Sequence, residues 1–96
     1  MKIKILQVAL DDLTYGYKFY ECQETGLGEY FLDSLYSDID SLLISAGIHS
    51  IHLGMFRLLS KRFPFAIYYA IQDKIVIVTA VLDCRYNPDT IQKRFL

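Results

Sequence analysis

Four side chains in the second half of the chain are of types that bind or cleave phosphate esters. Arg57 and Lys61 lie in an apolar stretch that alternates like a β-strand, so they are predicted to share one strand face. Arg85 and Tyr86 follow a later strand and are predicted to complete a cationic cluster. Such a cluster binds phosphate, and on RNA it stabilises the charge that builds on phosphorus during attack by a 2′-hydroxyl. The alternative is that these are solvated strand residues that protect a sheet edge from aggregation.

No other pattern of catalytic or metal-binding residues stands out. The sequence has no glycine-rich phosphate loop, no Ser/His/Asp set and no metal-ligand spacing, so no metal and no cofactor is expected. His49 and His52 are interpreted as ordinary polar residues in a connecting segment. Cys22 and Cys84 lie far apart in the sequence and are interpreted as two buried thiols in a reduced compartment.

The apolar periodicity predicts the elements that must position these residues. A short alternating stretch predicts a first strand, and two stretches with helical periodicity follow it. Gly47 is placed to end the second helix in a left-handed cap. The second half of the chain reads as three further strands. The predicted helices are 8–24 and 27–46, and the predicted strands are 2–5, 53–62, 65–71 and 75–82.

The order β-α-α-β-β-β predicts an α+β fold, with a helical hairpin packed on a small, mostly antiparallel sheet. The strands 65–71 and 75–82 are apolar on both faces, so they belong in the middle of the sheet with helices covering one side. Gly16 weakens the first helix by about 1 kcal/mol relative to Ala, which indicates that another element approaches closely there. Asp89 is expected to cap a final turn. Residues 1–96 are predicted to form a single domain.

The composition narrows the classes of protein to which the chain can belong. It is 53% hydrophobic and 15% aromatic, which supplies a dense core and argues against disorder. No apolar run is long enough to span a membrane, and Asp11 and Asp12 come too early for the core of a signal peptide, so a cytoplasmic protein is expected. The net charge of −1 divides into −5 for residues 1–48 and +4 for residues 49–96. The second half is therefore predicted either to attract an acidic partner or nucleic acid, or to form part of an ordinary mixed surface.

Three segments resemble the ParE-like toxins of the RelE/ParE superfamily. Residues 26–32, GLGEYFL, resemble the GLGxxFL segment at the helical turn of these proteins. Residues 62–69, RFPFAIYY, resemble their RFPYxIYY segment, and residues 80–88, AVLDCRYNP, resemble their AVLHxRRxP ending. The three segments occur in the family's order, and the resemblance covers nearly the whole chain.

The resemblance implies the toxin of a type II toxin–antitoxin module, a plasmid stabilisation system protein. A cognate antitoxin would hold it inactive in a hetero-oligomer by wrapping around it. RelE-like members of the superfamily cut mRNA on the ribosome without a metal, whereas ParE-like members poison DNA gyrase. This sequence has Asp83 where the family has His, and Tyr86 where it has a second Arg. A carboxylate cannot replace imidazole as a proton shuttle at neutral pH.

The favoured hypothesis is therefore a ParE-like toxin that inhibits gyrase by binding it, rather than an enzyme. On this interpretation the residues that bind the target or the antitoxin are Arg57, Lys61, Arg62 and Arg85. The first alternative is a ribosome-dependent mRNA endonuclease, in which Arg57, Lys61 and Arg85 bind phosphate and Tyr86 donates a proton. The second alternative is a decayed, non-toxic homologue that still binds an antitoxin.

Overall fold

The computed structural model describes residues 1–95, which form a five-stranded sheet with a helical hairpin on one face. The predicted α+β class is confirmed. In chain order the elements are β1 (Lys2–Ile5), α1 (Gln7–Gln23), α2 (Leu27–Asp40), α3 (Leu42–Ser45), β2 (Ile51–His52), β3 (Met55–Leu59), β4 (Phe65–Gln72), β5 (Ile75–Asp83) and α4 (Pro88–Lys93).

The strand order in the sheet is β1-β5-β4-β3-β2. The strand β1 runs parallel to β5, and the other three pairings are antiparallel. The strands β4 and β5 occupy the middle, as predicted from their apolar residues on both faces. Two core clusters result, one between the sheet and the helical hairpin and a smaller one on the opposite face, where α4 packs.

A β-bulge at Thr79 changes which side chains of β5 face the helices. Tyr68 pairs with Ala80 and Tyr69 pairs with Val78, so Thr79 has no partner on β4. Its hydroxyl instead donates a hydrogen bond to the Tyr68 carbonyl at 3.2 Å. An extra residue in one strand reverses the alternation of the side chains beyond it. As a result Val81 belongs to the core cluster on the helix side, and Asp83 shares its face.

The helices α1 and α2 pack closely because two glycines lie between them. A Cβ atom on Gly16 would lie 2.5 Å from Cζ of Phe31, and one on Gly28 would lie 2.7 Å from the Tyr17 carbonyl oxygen. The close approach predicted at Gly16 is therefore confirmed. The Glu21 carboxylate accepts hydrogen bonds from the Gly26 and Gly28 amides at 3.1 and 3.0 Å, which fixes the turn between the helices.

The predicted strand 53–62 is wrong at both ends. Leu53 and Gly54 have positive φ angles of 55° and 79°, so they form a two-residue turn between β2 and β3. At the other end, β3 stops at Leu59 because the next two residues bind a buried acid of α2. The Asp38 carboxylate accepts a hydrogen bond from the Ser60 hydroxyl at 2.7 Å and one from the Lys61 amide at 3.4 Å.

Two helix boundaries also differ from the prediction. The predicted helix 27–46 is interrupted at Ser41, whose hydroxyl donates to the Asp38 carbonyl. Gly47 has a φ of 96°, which confirms the left-handed residue after the helical region. The helix α4 is capped by Asn87 rather than Asp89, because the Asn87 side chain accepts the Asp89 amide at 2.8 Å.

Candidate functional site

Asp83 and Arg85 form a two-point ion pair where β5 ends. Arg85 Nε donates to Asp83 Oδ1 at 2.9 Å, and Arg85 Nη2 donates to Asp83 Oδ2 at 2.6 Å. The Arg85 backbone amide adds a third bond to Oδ1 at 2.8 Å. Asp83 is buried, whereas 57% of the Arg85 side chain is exposed. These hydrogen bonds from Arg85 lower the pKa of the Asp83 carboxyl, so the pair is ionised at neutral pH.

Two tyrosines lie near this ion pair: Tyr20 of α1 and Tyr86, which follows β5. Arg85 Nη2 reaches the Tyr20 hydroxyl at 3.5 Å. Desolvation raises the pKa of Tyr20 and also that of Tyr86. Both phenols are therefore protonated at neutral pH, and Tyr86 is a weaker acid than an ordinary tyrosine.

A groove opens beside the ion pair, and we call it the α1–β5 groove. It consists of two adjoining depressions of about 460 and 350 Å³, and the walls of both include Tyr15, Phe65, Asp83 and Tyr86. The larger depression lies between α1, the end of β5 and α4. The smaller depression is closed by Gly16, Phe19 and Arg85. The residues that line the larger depression but not the smaller are Asp12, Val81, Leu82, Thr90, Ile91, Lys93 and Arg94.

The groove combines exposed aromatic rings with cations. Tyr15 is 66% exposed, and Phe19 and Tyr86 are each more than a third exposed. Aromatic residues and arginine are enriched in the centres of protein interfaces, because they bury large areas at little cost in conformational entropy. The groove thus has the composition of a protein-binding surface.

The wall of the larger depression contains an ion pair between Asp12, near the start of the chain, and Arg94, near its end. Arg94 Nη1 and Nη2 donate to Asp12 Oδ1 and Oδ2 at 3.0 and 2.7 Å. Asp12 Oδ2 also accepts the Val81 amide at 3.0 Å, on the part of β5 that extends beyond β1. The pair ties α4 to α1 across the edge of β5. The sequence predicts no part in a site for Asp12, since nothing local links it to a residue 82 positions away.

Arg57 lies on the other face of the sheet from Arg85. It pairs with Tyr68 in β3 and β4, and directly opposed residues share a face. Tyr68 packs against Phe95 on the face opposite the helical hairpin, with ring centroids 5.0 Å apart. Because Arg57 and Arg85 lie on different faces, the structure does not bring them into one cluster.

The charge of Arg57 acts on Cys84 instead. Partial desolvation raises the pKa of the Cys84 thiol, and the nearby charge of Arg57 opposes that rise.

Lys61 and Arg62 are separated from Arg57 as well. Both are exposed and lie in the segment between β3 and β4, outside the strand that was predicted to carry them. The Lys61 amide faces Asp38 of α2, so this segment follows the helix rather than continuing the strand. Of the five predicted site residues, Arg85 and Tyr86 lie in the wall of the α1–β5 groove, and Arg57, Lys61 and Arg62 do not line it.

The two cysteines do not lie where the sequence analysis placed them. Cys22 and Cys84 are both exposed, so the interpretation as buried thiols is wrong: Cys22 lies in the last turns of α1, and Cys84 lies just after β5. Within residues 1–95, no three His, Cys, Asp or Glu side chains lie close enough to hold a metal ion. None of the helices in that range is both long enough and apolar enough to cross a membrane.

The fold is known from a toxin–antitoxin system. No family model matches the sequence, and no curated protein matches it significantly. Among solved structures, the chain is similar to a chain of the chromosomal ParDE TA system from P. aeruginosa, with a TM-score of 0.71. The two chains share 20% sequence identity, and the match covers 84% of this chain and 92% of that chain. The protein therefore has the fold of a component of a ParDE toxin–antitoxin system, as the three resembling sequence segments led us to expect.

Proposed function

We propose that the chain is a ParE-like toxin of a type II toxin–antitoxin module, which acts in the cytoplasm by binding and inhibiting DNA gyrase. A cognate antitoxin neutralises it by covering the same surface in a hetero-oligomer. The fold shared with a ParDE component and the three resembling segments support the toxin assignment. The choice between gyrase and mRNA as the target rests on the arrangement of charged residues around Asp83 and Arg85.

The Asp83–Arg85 ion pair is the observation that carries this choice. Cleavage of RNA without a metal requires a group that accepts and donates protons near neutral pH, together with cations gathered around one phosphate. Asp83 is held ionised by Arg85, and the other cations predicted for the site, Arg57, Lys61 and Arg62, lie on another face or in another segment. The arrangement supports binding rather than catalysis.

The α1–β5 groove is the proposed binding surface for gyrase and for the antitoxin. Its exposed rings at Tyr15 and Phe19 supply apolar area, and Arg85 and Lys93 supply polar anchors in its walls. If both partners use this groove, they cannot bind at the same time. Binding of the antitoxin then explains neutralisation without any change in the structure of the toxin.

Brief induction of the chain alone in bacteria tests the proposal. Incorporation of labelled thymidine and labelled methionine is followed in the first minutes after induction. We expect DNA synthesis to fall first, and co-expression of the antitoxin to restore it.

A matched strain carries Arg57→Gln, which removes the cation of the opposite sheet face and is expected to arrest DNA synthesis as the unmodified chain does. Early loss of protein synthesis, abolished by Arg57→Gln, would instead favour the ribosome-dependent endonuclease. Normal incorporation of both labels would favour a non-toxic homologue.

A further inference from the structure

One continuous segment of the chain, residues 41–56, contains no Asp, Glu, Lys or Arg, although these residues make up 22% of the sequence. We call it the uncharged belt. It comprises α3, the connection to β2, β2 itself and the turn into β3. Its large aliphatic side chains point outward: Ile44 is 95% exposed, Ile48 is 78% exposed and Ile51 is 65% exposed. Leu43 and Leu53 are also about half exposed. Exposed apolar groups concentrated in this way mark an interaction surface.

The uncharged belt is fixed to the rest of the molecule. At one end α3 contacts β1, and at the other end β2 forms the opposite edge of the sheet. Between them, the hydroxyl of Tyr69, a fully buried residue of β4, accepts the Gly47 amide at 2.9 Å and is also hydrogen-bonded to His49 Nδ1. The exposed side chains of the belt are therefore presented by an anchored backbone that crosses the end of the sheet.

Among the described residues, the edge of β2 that faces away from β3 presents two unpaired backbone groups, the N–H and the C=O of Ile51. The Ser50 carbonyl accepts the Arg57 amide at 2.9 Å, and His52 pairs with Met55 across the turn. Hydrogen-bonding directions alternate along an antiparallel strand, so the N–H and C=O groups of Ile51 point away from β3. Within residues 1–95 no strand lies beyond this edge. Exposed edges in natural proteins usually carry charges or proline that prevent pairing, and the belt has neither.

We propose that a second copy of the chain occupies this edge, with the two β2 strands paired antiparallel about a twofold axis at Ile51. In such a pair the N–H of Ile51 donates to the Ile51 carbonyl of the other copy, and its own carbonyl accepts the N–H of that copy. The two outward groups of one residue are therefore complementary to the same two groups in the second copy. Because the belt carries no formal charge, two copies meet without the like-charge repulsion that most surface segments would produce. The pairing joins the two five-stranded sheets into one.

The exposed side chains in and next to β2 add apolar area to the contact. A standard interface takes about 800 Å² from each partner, more than a two-residue strand provides. Ile48, Ile51 and Leu53 lie in β2 or within three residues of it and add exposed aliphatic area to the contact, whereas Leu43 and Ile44 belong to α3, which contacts β1 at the other edge of the sheet. Self-association through β2 does not depend on gyrase or antitoxin binding, since it uses the belt and not the α1–β5 groove.

Sedimentation equilibrium of the full chain over a range of concentrations measures this association. We expect a concentration-dependent rise from the monomer to the dimer mass. Ile51→Lys is expected to raise the dissociation constant at least about tenfold, because it places like charges opposite each other at the twofold axis. Leu59→Lys is the matched control: Leu59 is a half-exposed aliphatic residue of β3 outside the belt, and its replacement is expected to leave the association unchanged. Circular dichroism is used to check that each variant is folded.

Disulfide crosslinking tests the register of the pairing. Both native cysteines are exposed, so the background is Cys22→Ser with Cys84→Ser. In this background Ile51→Cys is expected to form a covalent dimer on mild oxidation, since opposed hydrogen-bonded residues lie about 5.5 Å apart at Cα, within the range of a disulfide. Leu59→Cys is expected to stay monomeric. A chain that is monomeric at all concentrations, or one whose dimer is unaffected by Ile51→Lys, would overturn the proposal. Equal crosslinking at positions 51 and 59 would overturn it as well.

Discussion

Arg85 turns its guanidinium onto Asp83, two residues away, and not toward Arg57. The two nitrogens of Arg85 that bind the carboxylate lie 2.9 and 2.6 Å from its oxygens. The bulge at Thr79 makes this possible, because it rotates Asp83 to the helix side of the sheet while Arg57 stays on the other side. A pair of this kind fixes the backbone after β5 and positions the wall of the α1–β5 groove.

The Asp83–Arg85 pair should make stability depend on pH in the acid range. Arg85 lowers the pKa of Asp83 in the folded chain, so the unfolded chain binds this proton more readily. The stabilisation is complete above the ordinary aspartate pKa of about 3.9 and is lost as the pH falls through the lower folded-state value. Asp83→Asn is expected to lower the free energy of unfolding by only about 1 kcal/mol at pH 7, since Arg85 is largely exposed.

Urea unfolding at pH 7 and at several acid pH values measures this dependence. The difference between the unmodified chain and Asp83→Asn should shrink steadily as the pH falls below the ordinary aspartate pKa. Asp33→Asn is the control, because Asp33 is an exposed residue of α2. A difference that stays constant with pH would show that the loss in Asp83→Asn comes from packing and not from the charge.

The Asp12 carboxylate should matter more to stability than its neighbour in sequence. Asp12→Ala removes the acceptor of the buried Val81 amide and the partner of Arg94, and is expected to cost about 1–3 kcal/mol. Asp11→Ala removes only an exposed contact with the Gln7 side chain and should change stability by less than about 0.5 kcal/mol. Thermal unfolding compares the two variants, and hydrogen exchange should show faster exchange of the Val81 amide in Asp12→Ala alone. Equal losses in both variants would contradict this role.

Gly16→Ala should destabilise the fold even though alanine is the better helix former by about 1 kcal/mol. The new methyl group would lie 2.5 Å from Phe31 Cζ, in a core where Phe31 is fully buried. We expect a net loss of about 1–3 kcal/mol, as for other overpacked cores. A double-mutant cycle with Phe31→Leu measures the coupling between the two positions. A Gly16→Ala loss that is the same in both backgrounds would exclude the contact with Phe31 as its cause.

The aromatic rings of the α1–β5 groove should contribute to binding and not to folding. Tyr15→Ser and Phe19→Ser are expected to weaken partner binding by at least about tenfold, as removal of a central aromatic side chain commonly does. Tyr36→Ser is the control, because Tyr36 is an aromatic residue of α2 that is also more than a third exposed but does not line the groove. Calorimetric titration with the antitoxin measures the affinity, and unfolding curves should be nearly unchanged. Loss of affinity in Tyr36→Ser instead would place the binding surface on α2.

The fold was largely predictable because its elements are strongly periodic and its sheet centre is apolar on both faces. The failures have physical causes that the sequence pattern does not show. Leu53 adopts a positive φ in the turn between β2 and β3, and the only residue there that is typical of such a turn is the following glycine. One long strand was therefore predicted in place of two strands and a turn. The end of β3 depends on Asp38, which is distant in sequence.

The site was harder to predict than the fold because its residues meet only in three dimensions. The bulge at Thr79 has no sequence signature, yet it decides which face carries Asp83. The sequence predicts one cluster of Arg85 with Arg57 and Lys61, whereas the structure puts Arg57 on the other face of the sheet and Lys61 in a separate segment. The sequence does indicate that the Asp83 carboxylate reduces the positive electrostatic potential around Arg85, since the two residues are only two positions apart. The contributions of Tyr15, Phe19 and Arg94 to the groove were not predictable, because they depend on how α1 and α4 pack.

A supercoiling assay with purified components tests the central claim most directly. Relaxed plasmid DNA, gyrase and ATP are incubated with increasing amounts of the purified chain, with and without the antitoxin. We expect supercoiling to be inhibited, the antitoxin to restore it, and Phe19→Ser to inhibit it less than Tyr36→Ser does. Full supercoiling at a large excess of folded chain, together with cleavage of mRNA on programmed ribosomes by the same preparation, would contradict the account.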